Sequence, residues 1–379
     1  MAARASSSQQ TERRVVGYVF DERYMWHRPW SLQYTALVQP FTHWESAETK
    51  RRFHALLAVS GILQKLHVIA PIPVTKAQLA LVHTEQYIEE IESKSQREEG
   101  GNAGEEAPFS QFAFDIACLS AGGVMQAAEA VMEGFASAAY ALTRPPGHHA
   151  TPSRGMGFCL FNNVAITAKH LLQKYPHEIR KIAIVDYDVH HGNGTQDTFY
   201  DDARVLFVSL HQANNYPANS GAWNEKGAGA GEGFTINVPL PPGSGSGAYE
   251  YTFERVVVPA LRCFEPDFIL VSSGFDASYA DPLAAMILSS QVFRFMAQQV
   301  ISVAEELCSG RVVFAHEGGY SETYVPFCGA AVIEALLHVD DPSRQIEDPF
   351  LEEVEQWEYQ ELQVHQQQII DKVTELHGL

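Results

Sequence analysis

Residues 182–194 read Ile182-Ala183-Ile184-Val185-Asp186-Tyr187-Asp188-Val189-His190-His191-Gly192-Asn193-Gly194. An apolar, β-branched run passes directly into acidic and imidazole side chains at alternate positions, the pattern of a buried strand with a polar C-terminal end. On an extended chain Asp186, Asp188 and His190 share one side. Asp188 and His190 can then reach one cation, with Asp186 just behind them. Imidazole with carboxylate suits zinc or another first-row divalent ion better than calcium. Gly192 and Gly194 allow a sharp turn at the strand's end, where open α/β sheets place their ligands. The competing interpretation is a polar strand end with two solvated histidines; three ionisable groups in register favour a site.

Seven further runs of this kind occur, at 15–20, 66–71, 138–144, 205–211, 234–240, 268–275 and 311–316. Amphipathic or alanine-rich stretches separate most of them, among them 115–134, 160–174, 247–264 and 289–308. Strands alternating with helices predict an α/β fold, a parallel sheet with helices on both faces. Short segments at 98–106, 226–233 and 241–247 read as loops, and no repeat or linker divides the chain. The expectation is a disordered tail over 1–14 followed by one domain over 15–379.

Two regions stand apart. The connection over 22–48 carries Tyr24, Trp26, Trp30, Tyr34, Phe41 and Trp44, and so much aromatic surface predicts packing against its own body or another subunit. It is the basis for expecting a homo-oligomer contact or a narrowed pocket mouth. The stretch 351–376, with Leu351, Val354, Trp357, Leu362, Ile369 and Val373 among glutamates and glutamines, predicts an amphipathic helix docked on the protein's surface.

Of 379 residues, 26 are Lys or Arg and 46 Asp or Glu, a formal net charge of -20 that argues against a nucleic-acid surface and suits basic substrates. The five cysteines are scattered without a C-x-x-C pair, which fits a reducing compartment and offers no thiolate metal site. No apolar run is long enough for a bilayer, and the N-terminal residues lack the apolar core of a secretory signal. A cytoplasmic protein without membrane partners is expected.

Three other strand ends carry chemistry. Arg144-Pro145-Pro146-Gly147-His148-His149 follows 138–144, a turn stiffened by two prolines. Beside a metal, its imidazoles would serve as general base and acid; on Pro-Pro-Gly alone, a rigid surface turn with incidental histidines is the favoured reading. Ser273-Gly274-Phe275-Asp276 closes another run, and Asp276 is either a third metal ligand or the cap of a helix. Glu317-Gly318-Gly319-Tyr320 follows 311–316, its glycines allowing close backbone approach and its phenol facing a cleft. Four of eight strand ends can handle metal or protons, and the other four cannot.

The motifs RPPGHH, DYDVHHGNGTQ, SSGFDAS with DPL, and EGGY, in this order, resemble the histone deacetylase and acetylpolyamine amidohydrolase superfamily, most closely its class II branch with bacterial histone deacetylase-like amidohydrolases. The resemblance runs from about Glu45 through His83-Thr84-Glu85-Gln86-Tyr87 to Phe327. It implies the single-domain arginase-deacetylase fold around an eight-stranded parallel sheet. It implies zinc held by Asp188, His190 and Asp276, with His149 as general base, His148 as its electrostatic companion and Tyr320 as oxyanion donor. Asp186 would partner His148, and Asn193, where class I carries aspartate, would partner His149. A structural potassium ion would lie among Asp186, Asp188, His190, Ser209 and the Leu210 backbone. Gly157, Phe158 and Tyr216 would line the substrate tunnel, with Tyr216 where Phe is common. Leu283 stands where polyamine-selective relatives carry a glutamate gatekeeper, so acetyl-lysine side chains lead and acetylated polyamines remain open. Glu105 and Glu106 are either rim carboxylates or a solvated acidic loop. An acyl-lysine binding module is disfavoured by Tyr320, and a dinuclear manganese ureohydrolase would need further ligands.

Overall fold

The computed structural model describes residues 14–29 and 43–379. Trp30, Tyr34 and Phe41 lie outside the described residues, as does nearly all of the expected N-terminal tail.

All eight apolar runs form strands of one sheet: β1 (Val16–Val19), β2 (His67–Ile69), β3 (Ala138–Ala141), β4 (Ile182–Asp186), β5 (Val205–Gln212), β6 (Thr235–Leu240), β7 (Phe268–Ser273) and β8 (Val312–His316). Their order is β6-β5-β4-β7-β8-β3-β1-β2, every pair parallel. The four strands whose ends carry chemistry, β4, β7, β8 and β3, are therefore adjacent at the sheet's centre. Residues of alternating parity enter opposite cores. Tyr140, Val185, Val208, Val271 and Phe314 pack on one face, and Ala139, Ile184, Phe207, Leu270 and Val313 on the other. The first face is covered by α1 (Ala47–Val59), α4 (Ser290–Cys308) and α5 (Val325–Leu336), the second by α2 (Ala113–Met132) and α3 (Asn163–Lys174).

The structure corrects several expectations. Strand β4 stops at Asp186, not 189. Beyond it, Asp186 Oδ1 accepts the Asp188 N–H and Asp188 Oδ1 the His190 N–H, so successive side-chain turns replace extended alternation. Neither Gly192 nor Gly194 takes a positive φ. Their need is proximity, since a Cβ on Gly192 would stand 2.1 Å from Asp186 Oδ2 and one on Gly194 2.3 Å from the Ala150 carbonyl. The stretch 351–376 is not one helix: Leu351–Glu355 and Val364–His377 flank a 3-10 turn at Glu358–Gln360. There the buried Gln360 amide donates to the carbonyls of Ile287 and Val354 and accepts the Ser246 N–H, and this tertiary capture outweighs helix continuation.

Within 22–48, Glu22–Trp26 forms a 3-10 turn; Tyr24 is buried, its hydroxyl donating to the Leu119 carbonyl. Among the described residues, no helix is long and apolar enough to cross a membrane.

Candidate active site

The loops after the four central strands converge. Asp188, His190 and Asp276 each offer one ligand atom, and these atoms lie within 4.8 Å of one another with all three residues buried. His190 Nδ1 is 3.2 Å from Asp188 Oδ1 and 3.0 Å from Asp276 Oδ2. Asp276 caps no helix; its other oxygen accepts the Val189 N–H at 2.8 Å. Glycine backbone closes the cradle, because a Cβ on Gly274 would meet Asp188 Oδ2 at 2.1 Å and one on Gly318 would meet Asp276 Oδ2 at 2.4 Å. Burial favours the neutral imidazole at His190, but the Asp188 and Asp276 carboxylates outweigh it and push the pKa up to about 10. Burial raises Asp276 to about 6. Two buried carboxylates around one imidazole nitrogen could hold a cation, and their donor chemistry is one that zinc accepts.

Beside this cluster the two histidines of the Pro-Pro-Gly turn differ in partner. His148 Nδ1 faces Asp186 Oδ2 at 3.0 Å, and His149 Nδ1 donates to Asn193 Oδ1 at 2.9 Å. Burial lowers His148, but Asp188 and Asp186 reverse this and raise it to about 10. Burial, with the positive charge of His148 and His190, holds His149 well below the usual imidazole range. The two rings are thus pushed in opposite directions, His148 toward its charged form and His149 toward its neutral form, in which Nε2 can accept a proton. The Tyr320 phenol stays protonated, its pKa raised by burial and by the Asp276 and Asp188 charges.

His149, His190 and Tyr320 line a cavity of about 270 Å³ together with Trp44, Glu106, Gly157, Phe158, Asn215, Tyr216 and Leu283. The Phe158 ring meets Tyr320 edge-on at 5.8 Å, and Tyr216 meets His149 at 5.1 Å. Gly157, at φ +49°, lies between: a Cβ there would stand 2.4 Å from the His149 ring and 2.8 Å from Tyr216. The loop over 98–106 is tied to this wall, since the Glu105 and Glu106 carbonyls accept the N–H groups of Gly157 and Phe158. Of its two carboxylates, Glu105 pairs with Arg154 at 3.2 Å and Glu106 lines the mouth.

The residues matched to potassium are less uniform. Ser209 stands level with Asp186 across β4 and β5, followed by buried Leu210, but its hydroxyl is engaged by His211 Nδ1 at 2.9 Å.

Several residues escaped the sequence reading although they stand in or beside its motifs. Asn215 lines the cavity, beside Trp44 of the aromatic connection expected at its mouth. Asp281 accepts the N–H groups of Tyr320 and Leu283 at 2.8 and 2.9 Å, and burial pushes its pKa up to about 8. Glu317 accepts the N–H groups of Gly147 and His148. Glu45 bridges Lys50 and Arg144 under the histidine turn. Their signal was a charged residue in an otherwise apolar or glycine-rich setting, which buries only with a partner.

A family model described as the histone deacetylase domain matches residues 43–336. A histone deacetylase-like amidohydrolase of Pseudomonas aeruginosa is 42% identical over 89% of this chain and 90% of its own. A probable deacetylase of Archaeoglobus fulgidus is 36% identical over 86% of this chain and 87% of its own. Among solved structures, the HDA15 HD domain is similar with a TM-score of 0.81 at 30% identity, covering 96% of this chain and 94% of that one.

Proposed function

The chain belongs to the histone deacetylase family and is a hydrolytic deacetylase; from that premise we propose that it removes acetyl or short acyl groups from N-acylated primary amines, foremost acetyl-lysine side chains, with one zinc ion. The observation that supports this reading is the Asp188, His190 and Asp276 cluster beneath a cavity also lined by His149 and Tyr320. Bound there, zinc would supply a Lewis acid that polarises the acyl carbonyl and acidifies a water. The remaining work falls to the chain. Its apolar, aromatic tunnel of Gly157, Phe158, Tyr216 and Leu283 holds the methylene chain and excludes bulk solvent. Neutral His149 takes the attacking water's proton at Nε2 and returns it to the leaving amine, while Asn193 fixes its Nδ1 tautomer. Charged His148, balanced by Asp186, offsets negative charge developing beside it. The Tyr320 hydroxyl donates to the carbonyl oxygen as it becomes an oxyanion.

A structural potassium ion among Asp186, Asp188, His190, Ser209 and Leu210 belongs to the same proposal. For substrate preference, Leu283 puts an apolar wall where polyamine-selective relatives carry a glutamate, which favours acetyl-lysine over acetylated polyamines, with Glu106 the carboxylate at the mouth. Turnover of an acetyl-lysine peptide, acetylputrescine and acetylspermidine, measured beside elemental analysis, tests the proposal. Preference for the peptide with about one zinc per chain is expected. Strong preference for the polyamines overturns the substrate ranking, and a two-manganese cluster overturns the zinc reading.

A further inference from the structure

Resting on the proposed reaction, we infer that Glu317 is a positioning residue: its buried carboxylate grips the backbone of the Gly147-His148-His149 turn and thereby fixes where the His149 imidazole stands. Glu317 Oε2 accepts the N–H of Gly147 at 2.6 Å and that of His148 at 3.2 Å, across 170 and 169 residues of sequence. Oε1 accepts the Ser272 hydroxyl at 3.2 Å. Glu317 lies just past the end of β8, and its N–H donates to the Ser273 carbonyl on β7. One side chain therefore joins the ends of β7 and β8 to the loop after β3. It is 1% exposed and does not line the cavity, so it acts through the turn and not on substrate.

The turn depends on that grip because it has left the sheet. Beyond Ala141 no strand supplies the Gly147 and His148 amides with acceptors, and an unpaired buried amide costs about 1–3 kcal/mol. The opposite side is already fixed: the His148 carbonyl accepts the Thr195 N–H, and the Pro145 carbonyl accepts Ser120 Oγ and Asn163 Nδ2. A Cβ on Gly147 would lie 2.5 Å from the Asn163 nitrogen, so the turn cannot retreat that way. Glu317 holds the remaining side. What it supplies is reach and lone pairs rather than charge. Asp186 and Asp188 already face the His148 ring at 3.0 and 3.7 Å and act on it most strongly, whereas Glu317 hydrogen-bonds that residue's main chain and adds a smaller charge effect on its ring.

A pair of substitutions separates reach from charge. Glu317→Gln keeps an oxygen for both amides and an NH₂ for Ser272 Oγ while removing the charge. Glu317→Asp keeps the charge and withdraws the oxygens by about 1.5 Å. For the purified, metal-loaded protein, Glu317→Gln should stay within about threefold of wild-type kcat; Glu317→Asp should lose about tenfold or more in kcat, with KM and metal content unchanged. Hydrogen exchange at the amides of 147–149 should quicken in Glu317→Asp only. The reverse ranking, two variants at wild-type kcat, or a loss confined to KM overturns the inference. If wild type hydrolyses no acyl-amine, the functional reading fails separately, and unchanged exchange in Glu317→Asp overturns the grip on its own.

Discussion

His149 Nδ1 donates to the neutral side-chain oxygen of Asn193 at 2.9 Å, while its neighbour faces a carboxylate at the same ring position. A base must be unprotonated to act, and burial plus the positive ring of His148 already disfavour the charged form of His149. Asn193→Asp would add an anion where the ring now meets an amide and would favour the imidazolium. The acidic limb of the kcat/KM profile should therefore move toward alkaline pH, by roughly one unit. A limb left in place would mean that another group sets it.

Tyr320→Phe removes one hydroxyl from a ring that keeps its packing against Phe158 and His190. Fold and metal content should be unchanged, and kcat should fall by about two to three orders of magnitude, the worth of an oxyanion donor. Activity within a few fold of wild type would exclude the phenol from the reaction.

Chelation should abolish turnover, and added zinc should restore it. Asp276→Ala should bind zinc at least tenfold more weakly, because it removes one of three converging ligands and leaves His190 with Asp188 alone. Metal content after dialysis reads this directly. Chelation that leaves turnover intact would remove the metal from the mechanism.

Seven of the eight strands were legible as short apolar runs buried on both faces, with β2 an exposed edge strand, and the polar ends of four of them marked where chemistry sits. That β4, β7, β8 and β3 are neighbours was not legible, since parallel crossovers let the chain skip positions. Nor were the duties of Glu317, Asp281 and Glu45. Each takes its meaning from partners distant in sequence: 170 residues for Glu317 and Gly147, 39 for Asp281 and Tyr320, 99 for Glu45 and Arg144. The 351–376 stretch failed for a related reason. Its amphipathic pattern continues through Trp357 and Leu362, and only the docking of Gln360 against Ile287 and Ser246 interrupts the helix.

Glu45 carries the last prediction. Its carboxylate lies 3.0 Å from Lys50 Nζ and 2.8 Å from Arg144 Nη2, with side-chain exposures of 0% for Glu45 and Lys50 and 2% for Arg144. Burial alone would raise its pKa, but the Arg144 and Lys50 charges hold it well below the usual carboxylate range. Arg144 also donates to the Tyr24 and His27 carbonyls, binding the 22–29 segment to the start of the histidine turn. Replacing the whole network with apolar groups could be neutral, but removing one member strands the others in a medium that penalises lone charge. Arg144→Ala should therefore cost about 3–5 kcal/mol in denaturant unfolding. Because Arg144 precedes Pro145 and the turn that carries the proposed base His149, kcat should fall in the protein that remains folded. A loss below about 1 kcal/mol, the scale of an exposed pair, would show that water reaches the cluster and that Glu45 is not sealed as the packing indicates.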